Sequence, residues 1–190
     1  MNLYLADTHF GHFNVIKFDK RPWKDVEQMD KDMIRLWNEK VYNDDHVYFL
    51  GDLCFRNAHP AEWYLKQLKG HKHLIIGNHE GAVLQSPEAM SCFESIDQIL
   101  EIKDVLNERP VKIVLCHYPM QEWNGKFHDT WHIYGHIHNN LGETYDAMSR
   151  MDRALNAGAC INNYAPVSFK ELIENNRRFI EQVKNGWRKD

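Results

Sequence analysis

The sequence predicts an α/β fold, and three observations carry that prediction. Short apolar runs recur along the chain, each too short for a helix and bounded by Gly, Asp, Asn or His. Between them lie segments whose apolar residues fall at helical spacing. No internal repeat and no linker rich in Gly, Ser or Pro interrupts the alternation, so residues 1–190 are read as one domain.

Residues 3–6 read as the first buried strand. From Val26, the apolar residues Met29, Met33, Ile34, Trp37 and Val41 are three or four apart and mark one face of a helix. Residues 47–50 give a second strand, 61–68 a short helix and 73–76 a third strand. Residues 97–106 alternate apolar and polar positions through Ile99, Glu101 and Lys103, the pattern of a half-buried strand. Strands follow at 111–116 and 132–134, with 154–159 a further candidate. Ser168 and Glu171 form a capping box, and Leu172, Ile173, Phe179, Ile180 and Val183 continue the stripe of a C-terminal helix.

Composition narrows the function. The chain is 43% hydrophobic and 26% charged, ordinary for a globular protein, and its net charge is −4. Binding a long nucleic acid by its backbone needs many Lys and Arg, so this charge argues against it and leaves a short nucleotide or small phosphate ester open. The four cysteines form no Cys-x-x-Cys pair, and Cys54, Cys116 and Cys160 sit in or beside apolar runs. They read as buried thiols of a reducing compartment. No charged segment followed by a long apolar stretch opens the chain, and no apolar run approaches 18 residues. Neither a signal peptide nor a membrane span is expected, and the expected location is cytoplasmic.

The unusual number is 12 histidines, and their positions carry the argument. The run 3–6 is followed by Asp7-Thr8-His9, and 47–50 by Gly51-Asp52. The run 73–76 is followed by Gly77-Asn78-His79-Glu80, 111–116 by His117, and 132–134 by Gly135-His136-Ile137-His138. Each motif alone has an ordinary explanation as a turn, a cap or a surface histidine. Together, they place a ligand-type residue after five successive strands. In open α/β sheets such strand ends converge on one site. Asp7, His9, Asp52, Asn78, His117, His136 and His138 exceed the four ligands of a structural zinc site. Two ions sharing a carboxylate fit better, with Asp52 the natural bridge. The mixed nitrogen and oxygen donors suit Mn, Fe, Zn or Ni more than Mg or Ca.

The series Asp-x-His, Gly-Asp, Gly-Asn-His-Glu, His and Gly-His-x-His resembles the five motifs of the calcineurin-like metallophosphoesterase superfamily, over Asp7 to His138. The strings Asp7-Thr8-His9-Phe10-Gly11-His12 and Cys116-His117-Tyr118-Pro119 resemble its small stand-alone bacterial and phage phosphoesterases. The resemblance implies a four-layer αββα sandwich, two mixed β-sheets flanked by helices. It implies one divalent ion on Asp7, His9, Asp52 and His138, and a second on Asp52, Asn78, His117 and His136. Catalytic roles then fall to Asp52, to His79 as proton donor or phosphate contact, and to Glu80 as the residue that orients and charges the His79 ring. Asn78, His79, Arg56 and His12 are the candidate substrate contacts, although Cys54-Phe55 replaces the acidic residue that usually precedes the superfamily's arginine.

The implied reaction is hydrolysis of a phosphomonoester or phosphodiester by a hydroxide bridging two metal ions, manganese among the candidates. The competing readings are a nuclease acting on nucleic-acid ends, with Lys17, Lys20, Arg21 and Lys24 as its basic cluster, and a non-catalytic metal-binding scaffold. Phe10, Phe13, Tyr118, Trp123, Phe127 and Trp131 lie near the motif loops and could stack a base or simply pack the loops. The loop 121–130, or a second subunit of a homodimer, could cover the cleft. His46, His59, His71, His73, His128 and His132 match no motif and are read as structural or exposed.

Overall fold

The computed structural model describes residues 1–55 and 59–187. The chain folds into two mixed β-sheets with helices packed against them. The first sheet has the order β4-β3-β2-β1-β9, from strands β1 (Asn2–Leu5), β2 (His46–Phe49), β3 (His71–Ile75), β4 (Ser95–Asp97) and β9 (Val167–Ser168). Its pairs are parallel except β1 with β9. The second has the order β5-β6-β7-β8, from β5 (Ile99–Leu106), β6 (Arg109–Cys116), β7 (Trp131–Tyr134) and β8 (Ala154–Asn156). Here β6, β7 and β8 are parallel and β5 is antiparallel to β6.

Alternation along the strands divides the core. Leu3, Leu5, Val47 and Phe49 face outward onto α2 (Val26–Lys40) and α3 (Ala61–Leu65), burying Met29, Met33, Trp37 and Tyr64. Tyr4 and Ala6 face the other way and meet Ile113, Leu115, Ile133 and Leu155 between the sheets. On the far face of the second sheet, Tyr134 and Ala154 cluster with Met148 of α6 (Glu143–Met148). Among the described residues, no helix is long and apolar enough to cross a membrane.

The two sheets are joined at the site end. Ala6, just past β1, bridges to Gly158, just past β8. On one side of this seam lies α7 (Phe169–Lys184), opened by the expected Ser168–Glu171 capping box. Its Asn176 side chain accepts from the Asn156 amide at 2.8 Å and donates to the Asn156 carbonyl at 3.0 Å, which occupies the open edge of β8.

The expected segment 97–106 is divided between two sheets. Gln98 alone separates β4 from β5, so the chain crosses from the first sheet to the second there. The 61–68 helix stops at Leu65, and the 154–159 strand stops at Asn156 before a 3₁₀ turn, Ala159–Ile161. Helices α1 (Phe13–Phe18), α4 (Gly81–Leu84) and α5 (Pro87–Met90) were not expected; all are too short to show a periodic stripe.

Of the histidines outside the motifs, His46, His71, His73 and His132 pack within the fold, and His59 and His128 are exposed. His46, His71, His73 and Tyr48 stack at the N-terminal ends of β2 and β3, away from the motif loops. His59 stacks on Trp63. His132 is fully buried; its Nδ1 contacts the Val114 carbonyl and its Nε2 accepts from the Met120 amide at 3.1 Å. Burial holds His132 down to about 4, below the roughly 6.5 of an exposed histidine. The fold therefore favours neutral His132, and its contribution is complete above about pH 6.5. As pH falls from there towards 4, the unfolded chain takes up the proton first and stability drops, by on the order of 3 kcal/mol for this residue. Chemical denaturation at pH 7 and pH 4.5 should show a smaller pH-dependent loss in His132→Gln than in the parent protein.

Candidate metal centre

Every motif lies in a loop leaving the C-terminal end of a strand. The β1 loop is zipped to the β2 loop by the Asp7 amide on Gly51 O (3.0 Å), the His9 amide on Asp52 O (3.0 Å) and a Phe10–Cys54 bridge. These loops are strained. Asp7, His9, Asp52, His136 and His138 have φ of 57°, 51°, 60°, 71° and 51°, the left-handed region that side chains rarely adopt. Such backbone costs on the order of 1–3 kcal/mol per residue and persists only where the surroundings enforce it. Gly51 combines φ +82° with contact so close that a Cβ would lie 2.5 Å from His117 Nδ1. At Gly77 a Cβ would meet Asp52 Oδ1 at 2.5 Å. These two motif glycines are set by the approach of neighbouring loops.

The loops assemble two donor groups. In the first, Asp7, His9, Asp52 and His138 offer ligand atoms within 4.8 Å of one another. His9 Nε2 stands 3.2 Å from His138 Nε2 and 3.6 Å from Asp52 Oδ2. In the second, Asp52, His117 and His136 do the same. Asn78 Oδ1 joins this second group, 3.0 Å from His117 Nε2 and 2.9 Å from His136 Nδ1. Asp52 belongs to both groups. All seven expected ligands are thus brought together, in the two expected sets. His79 is in neither; its exposed ring stands beside His9 and Phe55, and its amide donates to Asp52 Oδ1 at 2.8 Å.

The electrostatics suit a cation. Asp7 is fully buried, and burial pushes its carboxyl above the usual range. Burial, reinforced by the His138 charge, holds His9 well below the ordinary histidine value, and its Nδ1 is buried without a partner. For His138, burial opposes the charged form, but the Asp7 charge and the Asp19 hydrogen bond push it up to about 10. The His138 proton thus compensates carboxylates that burial leaves short of positive charge. Buried carboxylates and imidazole nitrogens aimed at common points fit divalent ions of the Mn, Fe, Zn or Ni type.

Three supporting residues escaped the sequence reading. Asp19 Oδ2 lies 2.7 Å from His138 Nδ1, which turns Nε2 into the first group. Burial would raise Asp19, but the hydrogen bond and charge of His138, with Arg21, hold it well below the usual carboxylate range. Arg21 is buried and donates to the carbonyls of Thr8 (2.6 Å) and Asp7 (2.9 Å) and to Asp19 Oδ2 (3.1 Å). It is therefore unavailable to the surface basic cluster considered above. Cys160 contacts the same Asp19 oxygen at 3.2 Å. All three lie outside the motifs, and no local pattern distinguishes them from other charged or apolar loop residues.

Glu80 differs from expectation. Its carboxylate does not orient the His79 ring. It is buried and accepts from the amides of Gly77 (2.6 Å), Asp52 (2.8 Å) and Leu53 (2.9 Å), which consumes both oxygens and ties the β2 and β3 loops together. The Glu80 carboxyl is raised above its usual range by burial, partly offset by these amides. His12 stacks on Phe55 at 4.1 Å and lines the cleft beside the first group. Arg56 lies outside the described residues. Of the aromatic cluster, Phe10 is core, stacked on Tyr64, and Trp131 packs on Phe169. Tyr118 alone touches the donor groups, edge-on to His117 and His136.

No family model matches the chain. The uncharacterized protein MJ1445 of Methanocaldococcus jannaschii is 33% identical over 172 residues, which cover 90% of this chain and 88% of that protein. The gene 66 protein of Mycobacterium phage L5 is 32% identical over 82 residues, 41% of this chain and 39% of its own length. Among solved structures, the protein of unknown function AQ665 from Aquifex aeolicus matches with a TM-score of 0.65 over 96% of this chain and 98% of its own, at 22% identity. That likeness shows a shared fold.

Replacing Glu80 by Ala would leave three amide donors without their acceptor. Glu80→Ala should lower unfolding stability by about 3 kcal/mol or more in urea denaturation. Glu80→Gln, with one acceptor oxygen left, should fall between it and the parent.

Proposed function

The chain belongs to the family of MJ1445, and we propose that it is a metal-dependent phosphoesterase of the calcineurin-like type, its sheets and helices forming that superfamily's four-layer αββα sandwich. The observation that carries this reading is the pair of donor groups sharing Asp52. Asp7, His9, Asp52 and His138 would hold one divalent ion, and Asp52, Asn78, His117 and His136 the other. Bound there, the two ions supply an ionised water and offset the charge of a phosphoryl group.

The chain's own side chains supply the rest. Asp52 is fixed by the His79 amide on Oδ1, while its Oδ2 faces His9 and His117 at 3.6 and 3.7 Å. His79, exposed and outside both donor groups, would give a proton to the departing oxygen. His12 adds a donor on the same side, its ring held by Phe55. Glu80 acts at one remove, through the amides it gathers, and Asp19 through His138.

Loaded with manganese, the protein should retain close to two ions per chain and hydrolyse bis-p-nitrophenyl phosphate, and chelation should abolish the activity. Asp52→Asn should slow turnover by on the order of a thousandfold with the circular dichroism spectrum unchanged. Retention of activity by Asp52→Asn, or inactivity of the parent with each of Mn, Fe, Zn and Ni, would overturn the reading. Asp19→Ala should weaken metal binding by roughly 10–100-fold in a competition titration, independently of any turnover.

A further inference from the structure

Two clefts open from the donor groups, and His136 and Asn140 line both. One, of about 570 Å³, runs past His79 and His12 onto Val15, Phe18 and Phe55. The other, of about 790 Å³, runs past Tyr118 along α6, with Ile137 and Leu141 beside Gln121, Glu143 and Thr144 in a wall that is more polar than apolar. Each is large enough for a ring-bearing ligand, small-molecule sites spanning roughly 300–1,000 Å³. A phosphoryl group held at the shared His136 therefore has a cleft on either side.

We infer, building on the phosphoesterase reading, that the substrate is a phosphodiester with one uncharged, ring-sized arm in each cleft. The second cleft decides between the ester classes. In a monoester, an anionic oxygen takes the place of the second arm. That oxygen would face Tyr118, Leu141 and the Glu143 carboxylate, with no Lys or Arg among the described residues lining this cleft. An anion beside the Glu143 carboxylate with no cation opposite is disfavoured, whereas an uncharged ring can stack on the half-exposed Tyr118.

The clefts also assign the two arms. His79 lines the smaller cleft and not the larger. The leaving arm lies in the smaller cleft and the retained arm against Tyr118. Hydrolysis adds one water: its oxygen bonds to phosphorus as the phosphorus bond to the leaving arm breaks. The departing oxygen keeps the electron pair and takes a proton from His79. One of the water's two protons stays on the new phosphoryl oxygen, the other replaces through solvent the proton lost by His79, and the products are an alcohol and a monoester of the retained arm.

The test compares kcat/KM for bis-p-nitrophenyl phosphate, methyl p-nitrophenyl phosphate and p-nitrophenyl phosphate, using manganese-loaded protein. The first two share a leaving group and differ only in the retained arm. The parent should prefer bis-p-nitrophenyl phosphate to the monoester by at least about tenfold. Leu141→Trp, which fills the larger cleft, and Tyr118→Ala, which removes its ring, should each lower the bis-to-methyl ratio by about tenfold. Taking a ratio cancels any loss of bound metal, and metal content is measured alongside. Hydrolysis with that ratio unchanged in both variants, or a preference for the monoester, overturns the diester inference alone. No hydrolysis of any of the three esters overturns the phosphoesterase reading, and the inference falls with it.

Discussion

Two carboxylates buried where the sheets meet set the terms for the loops of this molecule. Asp7 and Asp52 are 0% and 2% exposed, at the C-terminal ends of adjacent strands. A buried carboxylate is tolerated only if donors or cations surround it. The chain supplies both. The His136 amide donates to both Asp7 oxygens at 3.0–3.1 Å, and the His79 amide to Asp52. The imidazoles of His9 and His117 stand 3.6 and 3.7 Å from Asp52 Oδ2, and that of His138 3.9 Å from Asp7 Oδ1. Loops from both sheets must therefore converge, and the Ala6–Gly158 bridge that joins the sheets sits beside Asp7.

Convergence of this kind forces unusual backbone, which needs its own support. Five of the seven ligand-type residues are left-handed, and the loops after β1, β2 and β3 are pinned from behind by buried charged groups. Arg21 takes the Asp7 and Thr8 carbonyls on the β1 side. Glu80 takes the amides of the β2 and β3 loops. Asp30, through both oxygens, takes the Gly11 amide at 3.0–3.1 Å. These ionised groups touch no donor atom of the two groups directly. Their role is to make strained conformations the lowest available, as a preorganised site requires.

What could be read in the sequence follows from range. The five motifs were legible because a strand end fixes its ligand locally, so apolar run and polar residue appear side by side, as in 47–50 with Gly51-Asp52. The residues alone point to a shared carboxylate at Asp52, whereas the division of the ligands into two sets is what the superfamily resemblance implies. The supporting residues were not legible because their meaning is non-local: Asp19 finds His138 across 119 residues, and Glu80 finds Asp52 and Leu53 across 28 and 27. Glu80 was misjudged for the same reason, since adjacency to His79 suggested a contact that folding spends on more distant amides. The β4–β5 corner was hidden because one residue, Gln98, suffices to change sheets without interrupting the alternation.

The same electrostatics couple ion binding to the fold. Burial opposes a proton on His138, but the Asp7 and Asp19 charges outweigh it and push the ring up to about 10. That proton occupies one nitrogen of a ring whose neighbour, His9 Nε2, lies only 3.2 Å away. A proton shared between these rings would not serve Asp52 and the second group as well. Divalent charge at both groups would satisfy carboxylates and imidazoles together, at the cost of releasing protons. The free energy of that exchange would be available to hold the left-handed turns if ions bind the assembled loops and not the open chain. Strain in the loops and affinity for ions are on this view two sides of one balance, struck around Asp52.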